Sequence, residues 1–209
     1  MALLVVITGG TSSGKTTLTK ALSAELADVQ HVVLSQDTYF RDYSDLPEEE
    51  REAARTANRP DAVNWAGLIP QLEGLKRGEA ITHPVPGTRA HSRGDAPSQL
   101  GPADVAIAEG HLLLVDERVR ALADLKVFVD CDVEVRVLRR ITRDTSRNPT
   151  DPEGLTRSLA WYRRDVLPNN QRYTNFQRGH ADLIVPHEKP NPLAAQLVAA
   201  GIRHLLVPR

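Results

Sequence analysis

Disulfide chemistry is closed to this chain, because it carries a single cysteine, Cys131. A reducing cytoplasm is compatible with that count and is the expected compartment. An excess of either charge is missing too: the formal net charge is -1, which excludes a whole-chain basic field of the kind that binds nucleic acid regardless of sequence. Any polyanion it handles is therefore expected to be small and met by a local basic cluster. Long apolar runs are absent. The first, Met1 to Thr8, breaks at Gly9-Gly10, is too short for a membrane span and has no basic leader. It reads as a buried strand. There is no internal repeat, no low-complexity tract and no Asn-Lys-x-Asp segment of the kind that reads guanine.

What remains is an ordinary globular composition, 41% apolar and 25% charged in 209 residues, enough for one domain with an inserted lid. Continuous β-branched and apolar runs at Leu3–Thr8, Val32–Ser35, Val105–Ala108, Val127–Val129 and Leu183–Val185 predict strands, the first of them buried on both faces. Helical spacing falls between them, at Thr16–Leu26, Trp65–Lys76, Val133–Thr145, Leu155–Val166 and Asn191–Leu206, with a further short helix at Pro47–Thr56. Gly78 stops the second of these and Pro168 is expected to stop the helix from Leu155. Asp132 is a plausible cap for the helix from Val133, and Asn148 to Pro152 is expected to break it. Alternation of this kind predicts an α/β fold: a parallel sheet with helices on both faces, plus a small hairpin and lid region. Ligands of such sheets bind beyond the carboxyl ends of the strands.

Gly9-Gly10-Thr11-Ser12-Ser13-Gly14-Lys15-Thr16 fits Gly-x-x-x-x-Gly-Lys-Ser/Thr and sits between a buried strand and a helix. Phosphate oxygens are held by several inward-pointing backbone N–H groups, and small residues let that backbone approach. The helix that follows turns its positive end to the anion. Lys15 adds a full charge able to follow a transferring phosphoryl group, and the Thr16 hydroxyl can ligate Mg²⁺. Nucleotide contacts are expected from Gly9 through Thr17.

Phosphoryl transfer also needs a partner for the metal and a residue that orients the acceptor hydroxyl. Asp37 lies just past the second strand, Glu109 closes Val105–Ala108, and Asp130 closes Val127–Val129. Asp37 is assigned as general base, mainly positioning the hydroxyl, and Glu109 as the acid on the metal side. Asp130 reads better as part of a helix cap beside Asp132. Arg136, Arg140, Arg143 and Arg147, spaced 4, 3 and 4, fall on one helical face with Arg139 beside them. Such a face suits a closing lid that neutralises phosphoryl charge. It also suits a solvated face paired with Asp132, Glu134 and Asp144.

Taken together these residues resemble the uridine kinase (uridine–cytidine kinase) family, related to phosphoribulokinase, from about Leu4 to Pro186. Beyond the phosphate loop the resemblance rests on Val33 to Phe40, Arg59-Pro60-Asp61-Ala62, His91-Ser92-Arg93, Ala108 to Leu113, Phe128 to Asp132, Arg139 to Asp144 and His180 to Pro186. It implies transfer from ATP, with Mg²⁺, to a nucleoside 5′-hydroxyl. Carried over by position, Asp37, Lys15 and Arg140 would be catalytic, and Thr16 and Glu109 would serve the metal. Arg143 and Arg147 would serve the ATP phosphates. Asp37, Tyr39, Asn58, Asp61, His91, Arg93 and Arg140 would line the acceptor site. The acceptor loop would fall at about 78–102 and the lid at about 139–152, within one domain. A homo-oligomer is also implied.

Three places depart from the family pattern. Asn58 stands where an aspartate usually grips the ribose diol, keeping hydrogen-bonding capacity without the charge. Pro86 and Thr88 stand where a tyrosine and a phenylalanine enclose the pyrimidine. Arg147-Asn148-Pro149-Thr150 keeps one arginine of an arginine-rich turn. Two alternatives therefore stay open: a kinase for another small alcohol, such as a sugar phosphate, nicotinamide riboside or pantothenate, or a nucleotide-binding regulator without turnover.

Overall fold

The structure is a computed structural model that describes residues 1–147 and 149–207. In chain order the elements are β1 (Leu3–Gly9), α1 (Lys15–Glu25), β2 (His31–Ser35), α2 (Glu48–Ala54), α3 (Trp65–Arg77), β3 (Ile81–His83), α4 (Arg89–Ser92), β4 (Ser98–Leu100), β5 (Val105–Glu109), α5 (Glu117–Leu122), β6 (Leu125–Asp130), α6 (Val133–Arg147), α7 (Gly154–Trp161), α8 (Leu167–Asn169), β7 (Leu183–Pro186) and α9 (Pro192–Leu206). Among the described residues one parallel sheet of five strands runs in the order β2-β5-β1-β6-β7. β3 and β4 form a separate antiparallel ladder pairing Ile81 with Leu100.

The strand sequences explain why helices cover both faces. Along β1, Leu4 and Val6 enter one core with Leu68, Leu72 and Leu75 of α3. Val5 and Ile7 enter the other, with Leu18 and Leu22 of α1 and Val198 and Ile202 of α9. A strand buried on both sides has no position for polar alternation, hence the unbroken apolar runs. Truncating a fully buried leucine such as Leu72 in a core like this costs ~2–5 kcal/mol. α3 shows both of its expected boundaries. The Asn64 side chain accepts the Gly67 N–H at the start, and Gly78 takes a left-handed φ of 81° at the end.

Parallel pairing places the functional strand ends side by side. Glu109 is in register with Ile7 of β1 and with Ser35 of β2. Gly9 is in register with Val129. The loops after β1, β2 and β5 therefore converge at one edge of the sheet.

One expectation is corrected. The helix from Leu155 does not stop near Pro168. After α7 the chain makes a π-helical turn at Tyr162–Val166, passes through α8, makes a second π-helical turn at Asn170–Thr174 and ends in a 3₁₀ stretch at Asn175–His180. Pro168 sits in the first turn of α8, directly after the first π-helical turn. Among the described residues no helix is long and apolar enough to cross a membrane.

Candidate active site

A cavity of about 690 Å³ opens at the carboxyl edge of the sheet, and Lys15, Thr16, Asp37 and Glu109 all line it. Three strand ends separated by up to 94 positions of sequence thus meet in one space, because β5 is paired to both β1 and β2.

The phosphate loop is built for an anion. α1 has no side-chain cap, so its first amides are not taken up by a protein side chain. Gly14 precedes it at φ 103°, a left-handed value, and a Cβ there would stand 2.3 Å from His187 Nδ1. Glycine is thus required twice over, by backbone conformation and by the imidazole on top of it. Ser12 also adopts a positive φ, 58°. The Ser12 and Ser13 hydroxyls are buried without a partner among the described residues. Lys15 Nζ donates to the carbonyls of Gly9 and Gly10, each at 2.9 Å. Burial pushes its pKa down to about 8, against the opposing pull of Asp37 and Glu109.

The three strand-end acids take different places. Glu109 Oε1 accepts the Thr16 hydroxyl at 3.2 Å, while Oε2 is buried with no hydrogen-bond partner among the described residues. A hydroxyl and a half-satisfied carboxylate side by side are hard oxygen donors, and they fit Mg²⁺, which binds through one or two carboxylates plus substrate phosphates. Asp37 is exposed in the 3₁₀ turn Gln36–Tyr39, its N–H donating to Ser35 Oγ at 3.3 Å. Asp130 turns away from these two. It lies 3.5 Å from Arg178 and lines a second cavity of about 360 Å³.

The arginine face of α6 divides. Arg139, Arg143 and Arg147, spaced by four, line the main cavity. Arg139 is anchored by donation to the His187 carbonyl at 3.0 Å and to the Glu188 carbonyl. Arg136 is buried instead and donates to Asn170 Oδ1 at 3.0 Å. Arg140 reaches the phosphate loop at Thr11 Oγ1, 3.3 Å, and Asp144 lies 3.3 Å from its Nε. Asp144 also holds Arg143 at 2.8 Å. Asn148, in the break expected after this helix, lies outside the described residues.

Positions expected to meet the acceptor are more scattered. Asp61 is exposed and paired with Arg59 at 3.0 Å, and Arg93 is exposed and paired with Asp95 at 2.7 Å. His91 is exposed, and none of the three lines the cavity. Tyr39 is fully buried with its hydroxyl unpartnered among the described residues, and burial pushes its pKa up. Asn58 is buried, and its amide donates to Asp165 Oδ2 at 2.5 Å. The same carboxylate accepts the Ala57 N–H at 3.1 Å and the Thr56 hydroxyl. Thr88 caps α4, accepting the His91 N–H at 3.3 Å, and Arg89 N donates to the Phe40 carbonyl at 2.8 Å. The segment carrying Pro86 and Thr88 is thereby closed onto the chain that follows Asp37.

Sequence reasoning missed several side chains that build this place. Asp165 and Gln177 lie in the helical stretch after α7, where no periodic pattern marks them. Gln177 bridges Thr8, His111 and Leu114 from that stretch. His187 follows β7 and lies over Gly14. His111 lines the cavity directly after Glu109-Gly110; burial and the neighbouring Lys15 push its imidazole down to about 4. Its place two residues after a strand-end acid was the available signal.

Residues 4–194 match the model of the Phosphoribulokinase / Uridine kinase family. The chain is 34% identical over 204 residues to a uridine kinase of Clostridium botulinum (strain 657 / Type Ba4), covering 98% of this chain and 97% of that one. It is 35% identical over 207 residues to a uridine kinase of Limosilactobacillus reuteri (strain DSM 20016), covering 99% and 93%. In fold it is similar to phosphoribulokinase from Rhodobacter spheroides, with a TM-score of 0.64 at 17% identity over 91% of this chain and 73% of that one.

Proposed function

Because the chain belongs to the phosphoribulokinase/uridine kinase family, we propose that it is an ATP-dependent kinase that moves the γ-phosphoryl group, with Mg²⁺, onto the 5′-hydroxyl of a nucleoside. The observation that carries this reading is the single cavity shared by Lys15, Thr16, Glu109 and Asp37. Triphosphate grip, metal donors and acceptor base stand in one space, as in-line transfer requires.

In this reading the free amides at the start of α1 and the Ser12 and Ser13 region hold the phosphates. The Asp37 carboxylate accepts a hydrogen bond from the acceptor hydroxyl and takes its proton as the oxygen bonds to the γ-phosphorus. The bond from that phosphorus to the bridging oxygen breaks, and ADP leaves with the electron pair. A loose transition state leaves the base little to do, so Asp37 chiefly orients the alcohol. Lys15 lies within electrostatic reach of both Asp37 and Glu109, and its charge follows the transferring group. Arg143 and Arg147 offset negative charge from the lid side. Mg²⁺, held by Thr16 and Glu109, would neutralise charge on the phosphate oxygens. The same reading has the enzyme working in the cytoplasm on a small molecule, as a homo-oligomer, and not on nucleic acid or at a membrane.

A different small alcohol is favoured over uridine and cytidine by one observation. The residue at the diol-gripping place, Asn58, has its amide committed to buried Asp165. The test is ADP formation from Mg·ATP with a panel of uridine, cytidine, purine nucleosides, nicotinamide riboside, pantothenate and sugar phosphates. Turnover is expected with a nucleoside or a ribose-like alcohol. ATP binding with no turnover on any acceptor overturns the reading in favour of a nucleotide-binding regulator.

A further inference from the structure

We propose that His111 determines acceptor specificity, its ring hydrogen-bonding an uncharged polar group of the acceptor, a hydroxyl or a ring N–H, next to the alcohol oriented by Asp37. This deepens the proposed kinase reading and rests on it.

Three observations converge. First, the side chain is 9% exposed yet lines the cavity, and its Nε2 is buried with no hydrogen-bond partner among the described residues. A ring nitrogen shut away from water and left unpaired is costly, and in native structures such a group calls for a partner. Second, the ring is held in place from several sides. The His111 carbonyl accepts from Gln177 Nε2 at 2.7 Å, and the next backbone amide, Leu112 N, donates to Gln36 Oε1 at 3.0 Å. The ring meets that of Phe40, centroids 5.8 Å apart and planes at 48°, and it interacts with the backbone of Ala57. Ala57 is itself fastened through its N–H to Asp165 at 3.1 Å. Third, these neighbours belong to the acceptor side. Phe40 and Ala57 come from the chain that follows Asp37, and Asp37 acts electrostatically on the ring. His187, the other buried histidine on the cavity, lies over Gly14 at the phosphate loop instead.

An immobilised imidazole offers one donor and one acceptor in fixed directions. A site with such a group rejects analogues that cannot pair with it more strongly than an apolar wall rejects a shape. Positions 86 and 88 carry Pro and Thr, the Asn58 amide is spent on Asp165, and in this proposal His111 supplies the polar contact from another strand end.

The test uses the full chain as wild type, His111→Leu and His111→Gln, assayed for ADP formation with the panel above at saturating Mg·ATP. For the best acceptor, His111→Leu is expected to raise KM ~10-fold or more while KM for ATP stays within about twofold; tenfold is the usual scale for one lost hydrogen bond to a buried site. His111→Gln, which keeps a donor and an acceptor, is expected to recover to within about threefold of wild type. A folded His111→Leu with unchanged acceptor KM overturns the inference, as does an equal rise in KM for ATP. Should His111→Leu not fold, the imidazole ¹⁵N resonance of residue 111, assigned by its loss in His111→Gln, answers in the wild type. It is expected to shift when acceptor joins a complex with a non-hydrolysable ATP analogue, and movement with the analogue alone overturns the proposal. Wild-type protein inert on every acceptor would be the failure of the kinase reading itself, distinct from an active wild type indifferent to residue 111.

Discussion

The two ends of the cavity are made in opposite ways. The phosphate end is eight consecutive residues whose work is done by backbone amides and one lysine, Gly9 through Thr16. In the proposed reading the acceptor end is assembled from side chains far apart in the chain: Asp37 and His111 line the cavity and Phe40 packs against His111, while Asn58 and Asp165 pair with each other. A backbone site tolerates little change in what it binds, since every residue presents the same N–H. A side-chain site can be rewritten one residue at a time while the first stays intact. On the proposed reading, the shared cavity would let one transfer machine serve different alcohols.

Four substitutions press on that contrast. Lys15→Ala removes the one charged side chain of Gly9–Thr16, and kcat is expected to fall ~10³-fold with an unchanged melting temperature. Steady-state kinetics beside a thermal melt checks it; near-normal turnover would break the contrast at its stronger end. Asp37→Asn is expected to lower kcat ~10²-fold with ATP binding intact, measured by turnover and by nucleotide titration. Asn58→Asp restores the charge usual at that place but sets it 2.5 Å from Asp165 Oδ2. Stability is expected to fall by ~2 kcal/mol near neutral pH. In that variant one carboxyl of the pair has its folded pKa raised above the unfolded value. Its contribution is present below the unfolded pKa and is lost as pH rises through the raised one, so the deficit in urea melts should be larger at pH 8 than at pH 5. An equal deficit at both values would mean the two carboxylates do not meet. The smallest effect is expected from Glu109→Gln, which keeps the Thr16 contact but drops the charge; the Mg²⁺ concentration for half-maximal rate should rise ~10-fold.

The same contrast decides what could be read in advance. β1, β5 and β6 were legible because strands buried on two faces must be apolar throughout; the edge strands β2 and β7 are apolar runs too, though β7 leaves Leu183 and Ile184 exposed. The phosphate loop was legible because its chemistry is local. α5 was not foreseen: Glu117–Leu122 buries only Val119 fully, leaving no helical stripe. The helical stretch from Leu167 to His180 was also missed, since π and 3₁₀ turns shift the register that a 3.6-residue pattern assumes. The stripe of Arg136, Arg140, Arg143 and Arg147 was seen as one face. The spacing could not reveal that Arg136 is drawn inward by Asn170, or that Arg139 faces the cavity. Asn58 was recognised as unusual, but its partner lies 107 positions away.

Gln177 is fully buried and spends its whole amide: Oε1 accepts from Thr8 Oγ1 at 2.7 Å and from Leu114 N at 2.9 Å, and Nε2 donates to the carbonyls of His111 at 2.7 Å and Tyr173 at 3.1 Å. That one side chain rivets the central strand, the loop after β5 and the irregular helical stretch together. A glutamate of the same shape would turn lone pairs on two carbonyls and spring the rivet, so the stretch that presents Asp165 travels with the sheet as fixed scaffolding and not as a swinging flap.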